Sequence, residues 1–147
     1  MKVYNPDFKN RIIDHLSKQR FMQHIGFTLD VIEPGSTKGW LNFEQIHQQQ
    51  KGFAHGGLVA TLADITAGFA AVTLVPADCS VVTGEIKISY LNPGIGDKLI
   101  ARGWVLKQGR KMNFCEAEVL ASNKGHEKLI AKASATMVTI FPDDNYK

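Results

Sequence analysis

Between Lys51 and Asp78 the chain reads GFAHGGLVATLADITAGFAAVTLVPA, and Asp64 is the only acidic or basic residue in that run apart from the titratable His55. The run is rich in Ala, Leu, Val and Ile, so it reads as a helix buried on most of its surface, with Asp64 buried in it. A buried carboxylate costs several kcal/mol unless something pairs with it or uses it. Just upstream, His55-Gly56-Gly57 places flexible backbone where the helix should begin. A helix start offers free N–H groups and the favourable end of the dipole, and glycine lets another molecule approach the backbone. A carbonyl held there would find donors for the negative charge that grows on its oxygen during attack. Asp64, two turns on, could deprotonate a water or attack the carbonyl itself. The bland alternative is an acid satisfied by a hydroxyl such as that of Thr61, beside glycines that make only a tight loop. The meeting of loop, helix start and acid favours chemistry of the acyl-transfer kind.

The elements that must position these groups can be read from pattern. The helix runs from about Gly56 to Val75 and is stopped by Pro76. Leu58, Leu62, Ile65, Phe69 and Val72 form a bulky stripe expected to lie against a sheet, with Asp64 about 120° away from it. Around Asp64 stand Gly57, Ala60, Thr61, Gly68 and Ala71, all small, as close approach by a backbone or a ligand would require. An earlier helix is expected from Asp7 to about His24, started by Asn5-Pro6-Asp7 and ended by Gly26. Strand-like runs cover 27–33, 37–43, 80–91, 97–107, 112–121 and 129–140, separated by Gly-, Pro- and Asn-rich turns. The polar stretch 45–52 reads as a loop, and 143–147 as a frayed tail. The class is therefore α+β, a long central helix wrapped by a curved antiparallel sheet of five or six strands. An N-terminal helix over 1–25 precedes the main unit over 26–142, the whole forming a single domain.

Composition narrows the partners. The chain has 147 residues, 44% hydrophobic and 21% charged, with a formal charge of +3. No basic block or aromatic-interleaved basic strip marks a nucleic-acid footprint, so no nucleic acid is expected. The mild positive excess suits an anionic small molecule, or simply a surface slightly rich in lysine. The stretch 57–75 has the length of a membrane span, but Asp64, Thr61, Thr66 and Thr73 make insertion poor, so no membrane partner is expected. Cys79 and Cys115 sit in apolar surroundings and read as buried free thiols, and the N-terminus lacks the apolar core of a signal peptide; a cytoplasmic setting follows. His15, His24, His47 and His126 are scattered without zinc spacing, so no metal is expected. Neither a Gly-rich phosphate loop nor a serine nucleophile elbow is present. Sheet edges and the small-residue helix face would need cover, which predicts a homo-oligomer.

Three segments, HGGLVATLAD (His55–Asp64), ISYLNPGIGD (Ile88–Asp97) and LKQGRKM (Leu106–Met112), resemble in order and spacing the hotdog-fold acyl-CoA thioesterases of the PaaI-like group, over roughly 26–138. What the resemblance implies is a homodimer with active sites shared between chains, pairing further into a dimer of dimers (a homotetramer), acting on an acyl-CoA without a cofactor. The family's helix acid matches Asp64, and the N–H that polarises the thioester carbonyl matches Gly56. A side-chain amide six residues before the histidine matches Gln49, where many members have Asn. The hydroxyl that places the acid or the water matches Thr83, with Ser80 as the alternative. His55 in this pattern shapes the loop through hydrogen bonds more than it carries protons. Gly57, Thr61 and Phe53, with Phe69 and Phe43, are expected around the acyl group. Arg110 and Lys111 are candidates for the phosphates of coenzyme A, and Lys107 reads as a solvated turn residue. An aromatic, medium-chain or longer acyl group would each fit. Two other readings stay open: a hotdog dehydratase acting on hydroxyacyl thioesters, and an acyl-CoA-binding module without turnover.

Overall fold

The computed structural model describes residues 1–144. Helices α1 (Phe8–Lys18) and α2 (Arg20–Ile25) lead into strands β1 (Thr28–Glu33) and β2 (Ser36–Asn42). A 3-10 turn at Gln45–His47 and a loop then enter the long helix α3 (Gly56–Val72). Strands β3 (Ser80–Tyr90), β4 (Lys98–Gln108), β5 (Met112–Asn123) and β6 (His126–Ile140) complete the chain. All six strands form one antiparallel sheet, ordered β1-β2-β4-β5-β6-β3, with α3 packed on one face: the α+β hotdog architecture. Strands β4, β5 and β6 make the expected meander. β3 does not precede them in space; it crosses to the far edge beside β6.

The expected single N-terminal helix is two. Phe8 and Ile12 are buried from α1, Met22 and Ile25 from α2. Ile12 and Met22, ten residues apart, would be about 80° out of phase on one continuous helix. The break at Gln19, whose ψ is 79°, brings both apolar faces onto the core. Gly26 closes α2 in the left-handed conformation at φ 73°, the C-cap geometry glycine adopts freely. In the tail, Asp144 is anchored: it accepts from the Phe141 N–H and pairs with Lys111 at 3.2 Å. Residues 145–147 lie outside the described residues. No helix among the described residues is long and apolar enough to cross a membrane.

The seating of α3 differs from the reading of its bulky stripe. Val59, Leu62, Ala63, Thr66, Ala67 and Ala70 are buried, and the backbone of Thr66 and Ala67 lies against Gly103 of β4. A Cβ at Gly103 would stand 2.3 Å from the Thr66 carbonyl carbon. Thr37 of β2 donates from Oγ1 to the Thr66 carbonyl at 2.8 Å, fastening the helix at the same level. Small residues can approach a sheet more closely than leucine or phenylalanine, so they take the contact. Leu58 and Ile65 are only half-buried as a result. Ile65, Phe69 and Val72 line a groove on the helix face turned away from the closest sheet contact.

This seating predicts opposite outcomes for two glycines. Gly103→Ala should destabilise the protein by at least about 2 kcal/mol in urea unfolding, because overpacking there strikes backbone. Gly68→Ala, in the interior of α3 with nothing within 4 Å of the added Cβ, should stabilise it by about 0.5–1 kcal/mol.

Candidate active site

Asp64 is half-buried rather than buried, because its side of α3 faces an open groove instead of the sheet. It opens into a groove of about 550 Å³ bounded by α3, by the start of β3 and by α1 and α2. Its Oδ1 accepts from the Thr83 hydroxyl at 2.6 Å, which leaves Oδ2 directed to the groove without a partner among the described residues. Thr61 lines the same groove but is not the partner of the acid: its hydroxyl donates back to the Gly57 carbonyl at 2.9 Å. Ser80 also lines the groove, three residues before Thr83.

Thr83 faces the helix because of a bulge. β3 pairs Thr83 with Met137 and then Glu85 with Thr136, so Gly84 is an extra residue in the ladder. Such an insertion flips the alternation of the strand. Val81 and Thr83 before it, and Ile86, Ile88 and Tyr90 after it, therefore all face inward. Tyr90, at the end of β3, donates from its hydroxyl to the Gly56 carbonyl at 2.9 Å and covers that glycine with its ring. One strand thus touches both chemically promising points of α3. The contact from Tyr90 was missed in the sequence, where its only signal was a place in the apolar phase of β3.

At the head of α3, His55 caps the helix. Its Nδ1 accepts from the Gly57 N–H at 3.0 Å, so that nitrogen carries no proton and is occupied in structure. The Gly56 N–H, by contrast, has no acceptor among the described residues. Gln49 and Phe53 line a second depression with Tyr90. The Gln49 side chain accepts from the Lys51 N–H through Oε1, which leaves its amide N–H groups for other partners. The approach loop is tied down by His47, buried and stacked on Phe43 with ring centroids 6.2 Å apart. Its Nδ1 accepts from Glu44 and its Nε2 donates to the Ile25 carbonyl at 2.9 Å. Phe43 therefore braces the loop and lines neither depression.

The two halves are apart within one chain. Gly56 and Asp64 are separated by eight residues of α3, a rise of about 12 Å. No single carbonyl can meet both from the same copy. Arg110 and Lys111 are also elsewhere: Arg110 stacks over Phe141 at 5.6 Å, Lys111 pairs with Asp144, and neither lines the groove of Asp64. The basic side chains that do line it are Arg11 and His15. The thiols Cys79 and Cys115 are both free and buried, and burial pushes Cys115 up to about 12, so it is a thiol and no nucleophile at neutral pH. No group of three His, Cys, Asp or Glu side chains stands ready as a ligand set among the described residues.

A sequence-family model described as the Thioesterase superfamily matches residues 51–127. Among curated proteins, "Putative esterase F42H10.6" of Caenorhabditis elegans is 39% identical over 114 residues, 74% of this chain and 65% of that protein. The match thus spans just under two thirds of the nematode protein. Acyl-coenzyme A thioesterase 13 of Homo sapiens is 29% identical over 128 residues, covering 85% of this chain and 89% of the human one. Among solved structures, a thioesterase family protein from Silicibacter pomeroyi superposes with a TM-score of 0.89 at 30% identity, over 91% of this chain and 98% of that one. The PaaI protein of E. coli superposes with a TM-score of 0.82 at 17% identity, over 93% and 96% of the two chains, a likeness of fold.

The capping role of His55 has a direct test. His55→Ala should lower stability by about 1 kcal/mol in urea unfolding, and His55→Asn, which restores a cap acceptor, should recover most of it.

Proposed function

Since the chain belongs to the thioesterase superfamily, the thioester hydrolases, we propose that it hydrolyses acyl-CoA thioesters at sites built from two copies of itself, Asp64 from one and Gly56 from the other. The observation that carries this reading is the separation of a poised acid from an unspent helix-terminal N–H by a distance that only a second chain can bridge. Strand β3 supplies the route. It is an edge of the sheet, eleven residues long, with one side of its backbone unpaired. Antiparallel pairing of two β3 edges about a twofold axis near Ile86 and Lys87 sets Thr83 of one chain against Tyr90 of the other. Thr83 holds Asp64 and Tyr90 holds Gly56, so the same symmetry brings the acid of each chain to the N–H of its partner. Two such dimers pairing back to back is the further assembly proposed.

In the reaction the thioester carbonyl oxygen lies on the Gly56 N–H, at the positive end of the α3 dipole, with the Gln49 amide beside it. Asp64, its Oδ1 fixed by Thr83, removes a proton through Oδ2 from a water that attacks the carbonyl carbon. The tetrahedral oxyanion collapses, the C–S bond breaks, and the thiolate of coenzyme A leaves and takes up a proton. His55 acts on this indirectly, by capping the helix that presents Gly56. The groove walls formed by Ile65, Phe69 and Val72 suit an aromatic or a medium to long acyl group. A dehydratase would need a proton-carrying histidine, and the engagement of His55 Nδ1 in the cap weighs against it. A cytoplasmic setting, where both thiols stay reduced, belongs to the same proposal.

Two variants separate the halves. Asp64→Asn should lower kcat for thiol release from acyl-CoA by at least ~10²-fold. Gly56→Pro removes the N–H while keeping the helix start: proline suits the first turn of a helix, and His55 at φ −62°, ψ 133° already has the extended backbone that precedes proline. The added Cβ meets Tyr90 no closer than 3.5 Å, so the fold should survive while kcat falls by about 10²–10³-fold. Refolding the two inactive variants together should restore turnover, because each mixed dimer contains one site with both groups intact. Inactivity of the mixture would rule out shared sites, full activity of Asp64→Asn would remove Asp64 from the chemistry, and no thiol release by wild type with acyl-CoA binding retained would leave only the acyl-CoA-binding module.

A further inference from the structure

The groove that holds Asp64 extends well past the reacting centre, and its walls have different origins. α3 and β3 form one wall inside the region matched by the superfamily; α1 and α2 form the other, outside it. From Asp64 to Val72 the helix rises about 12 Å, and along that length Ile65, Phe69 and Val72 make the floor apolar. At the Val72 end the lining turns polar, with Arg11 and His15 together. Arg11 is fixed there: Nη1 donates to the Pro76 carbonyl at 2.9 Å and Nη2 to the Cys79 carbonyl. A guanidinium has five N–H donors, so these two bonds leave others unspent. Asp78 lies near Arg11 and offsets part of its charge, while Asp14, next to His15 in the chain, is paired with Lys18 at 2.7 Å. Burial, and then the charge of Arg11, hold His15 below the ordinary imidazole range, so it is neutral near pH 7. Its ring nitrogens have no protein partner among the described residues. An apolar channel that ends in convergent, under-used donors is shaped for a ligand with an apolar body and a polar tip.

We infer that this groove is the acyl pocket and that Arg11 and His15 close it by hydrogen-bonding an oxygen at the far end of the acyl group. The favoured substrates are then acyl-CoAs tipped with a carboxylate or hydroxyl, over plain alkyl chains of the same length. This assignment rests on the thioesterase reading above. The selection has a physical basis: an alkyl tip at that end would desolvate the donors without replacing their water, and sites built to bind a polar group reject analogues that lack it. It also gives the N-terminal helices a task, since they supply the wall that sets which acyl group fits.

The test is kcat/KM for three CoA thioesters of matched chain length, ending in carboxylate, hydroxyl or methyl. They are run on wild type, His15→Leu and Ser80→Ala; Arg11 is left intact because it holds two backbone carbonyls. Wild type should favour an oxygen-tipped substrate over the methyl-ended one by at least about tenfold. His15→Leu should bring that ratio close to one, with Ser80→Ala, whose side chain is on the opposite face of β3 from Thr83, leaving it unchanged. Measurable activity on the methyl-ended thioester shows that each variant is folded. Equal or better use of the methyl-ended thioester by wild type, or a ratio that His15→Leu does not move, overturns the pocket assignment and leaves the thioesterase reading standing. Hydrolysis of none of the three would overturn the thioesterase reading, and the assignment with it.

Discussion

Where Gly103 of β4 meets the backbone of Thr66 and Ala67, the helix and the sheet are as close as two backbones can come, and Thr37 fastens the contact with a buried hydrogen bond. The rest of the molecule takes its arrangement from that seat. Small residues occupy the contact, so Leu58 and Ile65 stay half-buried while Leu62, Phe69 and Val72 remain in the core. Asp64 lies on the side of α3 away from that contact, beside β3. A buried carboxylate would have needed full compensation inside the chain. Here a single hydroxyl holds one oxygen and the other faces the groove.

The second constraint is the bulge at Gly84. Without it, Thr83 and Tyr90 would stand on opposite faces of β3. With it, the strand places one side chain on the acid and another on the glycine at the helix start. The cost is local: a Cβ at Gly84 would stand 2.9 Å from the Val138 side chain, so the position is confined to glycine or to a shifted neighbour. Seat and bulge together set both groups on one helix and one strand, elements stiffer than loops.

Such rigidity also separates the groups for good. α3 holds the acid and the N–H about 12 Å apart, and no rotamer change can close that distance. On the proposed function, a site shared between two copies would resolve the geometry, with the unpaired edge of β3 as the surface. The same edge, left open, would invite indiscriminate pairing with other strands. The proposed assembly would thus protect the fold and complete the site by one contact.

Much of this was legible in the chain, for physical reasons. Strands declare themselves by alternation and turns by Gly, Pro and Asn, so the six strands were placed within a few residues; β6 began three residues earlier than expected because its exposed first turn has no apolar signal. Asp64, His55 and Gly56 stood out because a lone acid and paired glycines are costly in an apolar run unless they have a task. Thr83 and Ser80 could not be separated by pattern, since the pairing of β3 with β6 decides the strand's phase, which turns Thr83 inward and Ser80 outward. The break at Gln19 and the rotation of α3 were hidden too, because they depend on which faces meet across the core. The placing of Arg110 and Lys111 away from the groove, and of Arg11 and His15 within it, was equally invisible. Sequence by itself determined the strands, the long helix and which groups are candidates for chemistry, because periodicity and residue chemistry are local. Tertiary structure alone decided which groups share a groove, because close packing between distant segments sets the rotation of the helix and the face of the strand.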